Sequence, residues 1–113
     1  MPEDREWRFR IGHMRSAIRE IASYTQGHDA QSFLGNRQLV RSVERCFEIL
    51  GEAARNIPRA VQERHAVVPW KRITGLRNIL AHDYDSSRDM VLWVTIERDL
   101  PELMSILETM EIE

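Results

Sequence analysis

The stretch "RQLVRSVERCFEILGEAAR", Arg37 to Arg55, decides the fold class of this chain. Leu39, Val43, Cys46, Leu50, Ala53 and Ile57 recur at alternating spacings of four and three, the period of one buried stripe on an amphipathic helix. Asn36 stands where an N-cap belongs, and Pro58 stops or kinks the helix. Gly51 lies inside it, beside the stripe. Glycine in a helix interior costs about 1 kcal/mol against alanine. Its presence predicts that a neighbouring helix approaches closely at that point.

The same period runs outward in both directions. Upstream, Trp7, Ile11, Met14, Ile18 and Ile21 form a stripe that Gly27 ends, and Asp29 can cap a short helical turn. Downstream, residues 59–68 hold one short helix, and Pro69 opens another running from Trp70 to about Ala81. Its apolar positions are Trp70, Ile73, Leu76 and Leu80. "DSS", Asp85 to Ser87, breaks the pattern and offers caps for a last helix, whose stripe is Leu92, Ile96, Leu100, Leu103, Leu107 and Met110. Pro101 falls within it and should kink it near the carbonyl of Glu97. Strand alternation is nearly absent, and "VVPW" is short and broken by proline. The expectation is an all-α chain: an antiparallel four-helix bundle with short extra helical turns, one domain spanning residues 1–113.

Composition agrees with a globular domain, at 42% hydrophobic and 30% charged residues. The single cysteine, Cys46, has no internal disulfide partner and sits on an apolar stripe, so it reads as a small buried hydrophobe in a reducing compartment. "MPEDREWRFR" has no apolar core of a signal peptide, and no run is long enough to span a membrane. A cytoplasmic location is expected. Net charge is −2, unevenly spread: residues 1–82 carry +5 and residues 83–113 carry −7. This fits either solvated helix faces or a basic surface for a polyanion beside an acidic one.

The chemistry concentrates in "RNILAHDY", Arg77 to Tyr84. On an ideal helix Arg77 and Tyr84 point the same way, roughly 10 Å apart, while Arg77 and His82 diverge by about 140°. Arg77 and His82 can meet if the helix ends near His82, or if two copies face each other across a twofold axis. An arginine and a histidine suit phosphoryl chemistry. The histidine can take or return a proton, and the guanidinium can hold a phosphate and stabilise its developing charge. On RNA those roles suffice for attack by the 2′-hydroxyl on the adjacent phosphate, without a metal. By spacing alone, the same residues also fit a surface arginine, a histidine at a helix C-terminus and a packing tyrosine.

"RNILAHDY" resembles the R-x-x-x-x-H-x-Y motif of the HepT family, small ribonuclease toxins of the HEPN superfamily. The likeness extends to "RQLVRSVERCFEILGEAAR", to "VPWKRITGLRN" and to "DLPELMSIL", and so covers nearly the whole chain. The resemblance implies a metal-independent endoribonuclease of a type VII toxin–antitoxin system, acting on RNA such as tRNA or mRNA and needing no cofactor. It implies Arg77 and His82 as catalytic residues, with Asn78 as the polar neighbour that often follows the arginine. It implies a homodimer with the two motifs lining a cleft between subunits. It also implies Tyr84 as the residue to which a partner antitoxin, a minimal nucleotidyltransferase of the MntA type, adds AMP. The rival readings are a catalytically silent helical module that assists such a nucleotidyltransferase, and a purely structural bundle.

His13, His28 and His65 show no ligand-like spacing among themselves or with Cys46, so no metal site is expected. Trp70 reads as a core anchor rather than a base-stacking platform. Glu52 reads as an exposed polar residue, with a role facing the motif helix as the alternative. Arg55, Arg59, Arg64, Lys71, Arg72 and Arg77 could track an RNA backbone or form a scattered solvated surface.

Overall fold

The computed structural model describes residues 2–81 and 86–112, and every regular element among them is helical. In α1 (Pro2–Thr25) all five stripe residues, Trp7 to Ile21, are buried. Gly27 then takes the left-handed conformation, φ +80°, that turns the chain back at little cost to a residue without Cβ. Asp29 caps α2 (Ala30–Leu34) as expected: its carboxylate accepts from Ser32 N at 2.8 Å, while its own N–H donates to Ser32 Oγ at 3.0 Å. Backbone and hydroxyl bonds with Ser32 hold the Asp29 carboxyl below its ordinary pKa.

Asn36 opens α3 (Arg37–Arg55) by accepting from Leu39 N at 3.0 Å, and all six predicted stripe residues are buried. α3 packs along α1 on one side and along α5 (Trp70–Ala81) on the other, and α1 also meets α7 (Leu100–Ile112). The bundle expected from the sequence is therefore present, with α3 at its centre. α2 closes one flank through Phe33, whose ring lies 5.2 Å from that of Trp93.

Two elements differ in detail from the sequence reading. The predicted helix over residues 59–68 is a single short turn, α4 (Arg59–Arg64). The chain folds back after it because the Trp70 indole N–H donates to the carbonyls of both Gln62 (3.1 Å) and His65 (3.0 Å), and because Pro69 disfavours helical geometry at Val68. The last helix is α6 (Ser86–Val94) followed by a π-helical turn (Thr95–Asp99) and then α7. Pro101 offers no N–H and crowds the carbonyl four residues back. The expected kink takes the form of that turn, in which Leu100 N–H donates to Thr95 O five residues earlier. The wider turn rotates the stripe, so Ile96 within it is only half-buried while Leu92, Leu100, Leu103, Leu107 and Met110 are buried.

Cys46 is buried, and its thiol donates to Glu20 Oε2 at 3.7 Å. Burial, reinforced by the charge of Glu20, pushes the thiol up to about 11, which makes it a poor nucleophile. No helix among the described residues is long and apolar enough to cross a membrane.

Candidate functional site

The site is built on α5. Trp70 fixes where that helix begins, since its indole is anchored on the carbonyls around the end of α4; it is 8% exposed and acts as a core anchor. Ile73 and Leu76 then bury against the bundle. Arg77 lies one turn beyond Ile73, so its side chain also leaves α5 towards α3.

There it meets Gly51. A Cβ at position 51 would lie 3.4 Å from Arg77 Cγ and 3.4 Å from the Ile73 carbonyl oxygen. The close approach expected at this glycine is thus an approach of α5, and the aliphatic stem of Arg77 rests on it. The guanidinium then reaches the next residue of α3, with Nη1 3.2 Å from Glu52 Oε2. Asn56 steadies Glu52: its amide donates to Glu52 Oε1 at 3.2 Å and to the Glu52 carbonyl at 2.8 Å.

Both readings of Glu52 hold in part. It is exposed, and it also faces the motif helix. The side chains of Arg77 and Glu52 are 46% and 56% exposed, so the pair contributes only about 0–1 kcal/mol to stability. Its consequence is orientation. A guanidinium has five N–H donors, and this one is held by stem and carboxylate while much of it stays open to an anion from solvent.

Asn78, next in the chain, is exposed. His82 and Tyr84 lie outside the described residues, as does Asp85 of the predicted cap. The structure therefore places Arg77 and Asn78 at the surface near the end of α5, and His82 follows Ala81, the last described residue of that helix, in sequence.

All six cations of the proposed basic run are exposed. Three are paired with carboxylates: Arg59 with Glu63 (3.4 Å), Arg72 with Asp99 (3.1 Å) and Arg77 with Glu52. That lowers the positive field of the run and favours a salt-bridged surface for half of it. Among the described residues no three of His, Cys, Asp and Glu gather into a metal-binding set. A groove of about 500 Å³ runs between α5 and the π turn and α7, but its walls are mainly apolar, including Leu76, Ile79, Val91 and Leu103. Arg77 is not among them, so the groove and the exposed Arg77 guanidinium are separate features.

One cluster was not foreseen. Arg88 and Asp89, in the first turn of α6, are 6% and 3% exposed. Arg88 donates to Asp89 Oδ1 through Nη2 (3.0 Å) and Nε (3.3 Å), pairs with Glu44 of α3, and donates through Nη1 to the Leu80 carbonyl of α5 at 3.3 Å. Arg37 of α3 completes the set, donating to Asp89 Oδ2 at 2.9 Å. Burial works against the charge of Arg88, but Asp89 and Glu44 outweigh it and raise its pKa. In the sequence these residues look like a polar cap region. Their partners lie 44 and 52 positions away, beyond any local signal.

Comparison with known proteins bears on what this arrangement does. The family model described as "Ribonuclease HepT-like" matches residues 14–110, a span that includes Gly51, Glu52 and the whole of the RNILAHDY stretch. A Caldanaerobacter subterraneus subsp. tengcongensis protein named "Putative RNase" is 34% identical, the match covering 82% of this chain and 83% of that one. A Methanocaldococcus jannaschii protein, also named "Putative RNase", is 35% identical over 79% of this chain and 82% of its own. A Thermococcus cleftensis protein named "Probable ribonuclease HepT" is 34% identical over 81% and 84%. No solved structure gives a significant match. With its helical bundle, its surface arginine on α5 and a family match over most of its length, this chain belongs to the HepT-like ribonucleases of the HEPN superfamily.

Proposed function

We propose that residues 1–113 act as one HepT-like unit, a metal-independent endoribonuclease that serves as the toxin of a type VII toxin–antitoxin pair and works as a homodimer in the cytoplasm. The observation that carries this reading is Arg77: an exposed guanidinium, seated on Gly51 and oriented by Glu52, five residues ahead of a histidine in a HepT-like chain. Arg77 binds the scissile phosphate and stabilises the extra charge of the transition state. His82 takes the proton from the 2′-hydroxyl as its oxygen bonds to phosphorus, and a proton is returned to the 5′-oxygen as the P–O5′ bond breaks. The products are a 2′,3′-cyclic phosphate and a 5′-hydroxyl. Asn78 supplies a further polar contact. The spread of Arg77 and His82 on a helix supports sites completed across a twofold axis.

Control falls to Tyr84, modified with AMP by an MntA-like nucleotidyltransferase. The added phosphate competes with RNA for Arg77, and the adenosine fills the space that RNA needs. The test is purified, unmodified protein on RNA in the presence of a chelator. Undiminished cleavage, cyclic-phosphate ends and a dimer in sedimentation at micromolar concentration are expected. Loss of activity with chelator, or a monomer, overturns the corresponding part.

A further inference from the structure

The charges on α3 and α5 are unequal in number. The two helices carry seven cations and three carboxylates, and all three carboxylates lie on α3. Each carboxylate already has an arginine: Glu44 has Arg88, Glu48 has Arg45 at 3.1 Å and Glu52 has Arg77 at 3.2 Å. Arg37 and Arg72 are engaged by Asp89 and Asp99 from beyond these helices. Arg41, Arg55 and Lys71 remain. All three are exposed, and none makes an ion pair or a side-chain hydrogen bond among the described residues.

Helix geometry sets where these three stand. Arg41 and Arg55 are fourteen positions apart, close to four turns, so they share one side of α3 at a separation of about 21 Å along its axis. Glu52, which holds Arg77, follows Arg41 by eleven positions, close to three turns, and stands on the same side. α5 runs antiparallel to α3, since Arg88 reaches both Glu44 and Leu80 while Gly51 adjoins Ile73 and Arg77. Lys71 therefore belongs at the Arg55 end. It precedes Asn78 by seven positions and shares its exposed face of α5. The free cations thus straddle Arg77, with Arg41 on one side of it and Arg55 and Lys71 on the other. Neither helix exposes an aromatic ring: Phe47 and Trp70, their two aromatic residues, are buried. Bases find no stacking platform here, and a row of charges without rings suits the repeating phosphates of a strand.

We propose that Arg41, Arg55 and Lys71 form a backbone track for single-stranded RNA, which lies along the seam of α3 and α5 and brings one of its phosphates to Arg77. The track rests on the reading of RNA as the substrate; it supplies affinity and register, and no chemistry. A single strand fits because attack by the 2′-hydroxyl in line with the departing 5′-oxygen needs a backbone freed from a regular duplex. Recognition by charge alone gives little preference for sequence and a strong dependence on salt.

The experiment measures binding, by fluorescence anisotropy, of an RNA of about 12 nucleotides whose 2′-hydroxyls are methylated, so that it is not cleaved. Native protein is compared with Arg41→Gln, Arg55→Gln, Lys71→Gln, the triple variant and Arg19→Gln, each shown to be folded by circular dichroism. Arg19 on α1 is also exposed and without an ion pair among the described residues, so its loss changes net charge equally but off the track. One phosphate contact to a single strand contributes about 0.7 to the slope of log K against log salt. Each track variant is therefore expected to bind about fivefold more weakly at about 0.1 M salt, and the triple variant about 100-fold more weakly with a slope flatter by about 2. Arg19→Gln is expected to stay within about twofold of native, because screening confines its field. Arg41→Lys is expected to keep most of the native affinity, which separates a lost charge from a disturbed helix.

An unchanged slope in the triple variant overturns the track, as does a loss in Arg19→Gln as large as that in Arg41→Gln. Binding by Arg41→Lys as weak as by Arg41→Gln overturns it too, as does failure of native protein to bind the strand or tighter binding of the annealed duplex. Cleavage is read separately on the unmethylated strand. Binding as expected without cleavage removes the ribonuclease mechanism and leaves the track, whereas cleavage with an unaltered slope removes the track and leaves the mechanism.

Discussion

Gly51 offers a quantitative test of how α3 and α5 place Arg77. In Gly51→Ala the new methyl carbon would stand 3.4 Å from Arg77 Cγ and 3.4 Å from the Ile73 carbonyl oxygen, with Arg77 Cδ at 3.9 Å. These are contacts at the near edge of ordinary van der Waals distance, and one of the two nearest atoms belongs to a flexible stem. Alanine in a helix interior gains about 1 kcal/mol over glycine. Packing takes back only a part of this, so Gly51→Ala should be stabilising by up to about 1 kcal/mol, a rise in Tm of about 4 °C for a chain of this size. Valine adds two methyl groups with no such space, and overpacking of this kind costs about 1–3 kcal/mol. Gly51→Val should therefore unfold earlier than native and displace the Arg77 stem, with a fall in RNA cleavage that Gly51→Ala largely avoids. Thermal unfolding and single-turnover cleavage of the three proteins make the comparison. Destabilisation by Gly51→Ala beyond about 1 kcal/mol, or equal stability of the alanine and valine variants, would refute the packing described at this contact.

Glu52→Gln should leave Tm almost unchanged, because the Arg77 pair is exposed. It should lower both kcat and KM, since the arginine is less well oriented while a repelling charge beside the phosphate is gone; an unchanged kcat with a raised KM would contradict this. Incubation with the partner nucleotidyltransferase and ATP should place AMP on Tyr84 of the native protein and silence it, while Tyr84→Phe stays active; mass spectrometry locates the label, and a label elsewhere rejects the assignment. The Cys46 pKa, raised from 9.0 to about 11, carries a sign: the folded protein holds the thiol proton more tightly than the unfolded chain. That stability is complete below about pH 9 and is lost as pH rises towards 11, so in urea unfolding the advantage of native protein over Cys46→Ala should shrink across this range, and a constant gap would exclude the linkage.

The bundle was legible because each long helix writes its buried face in a local period. The stripe residues of both long helices, from Trp7 to Ile21 and from Leu39 to Ile57, are buried, and the caps at Asp29 and Asn36 are formed as their residue types demand. Pro101 signalled a disturbance but not its form, because a proline specifies what it cannot accept and leaves open whether the chain bends or widens. The charged side of the site was much less legible. Glu52 and Arg77 are 25 residues apart, and it is the packing of α5 on α3, close at Gly51, that brings them together. Arg88 and Asp89 look like surface residues near a helix start, and no local rule marks them as buried. Their burial is possible only because α3 delivers Glu44 and Arg37 and α5 delivers a carbonyl to the same place. Sequence periodicity reports which face of an element is dry, whereas charge pairing across elements depends on a packing that already exists.

The proposed pairing of Arg77 with His82 in RNA cleavage is tested by the single-turnover cleavage rate of His82→Ala beside the native protein, with both shown to be folded and dimeric. General acid–base groups contribute about 10²- to 10⁴-fold, so the variant should lose that factor while binding RNA nearly as well through Arg77. A folded His82→Ala protein that cleaves RNA at the native rate would rule out His82 as the proton-transfer group.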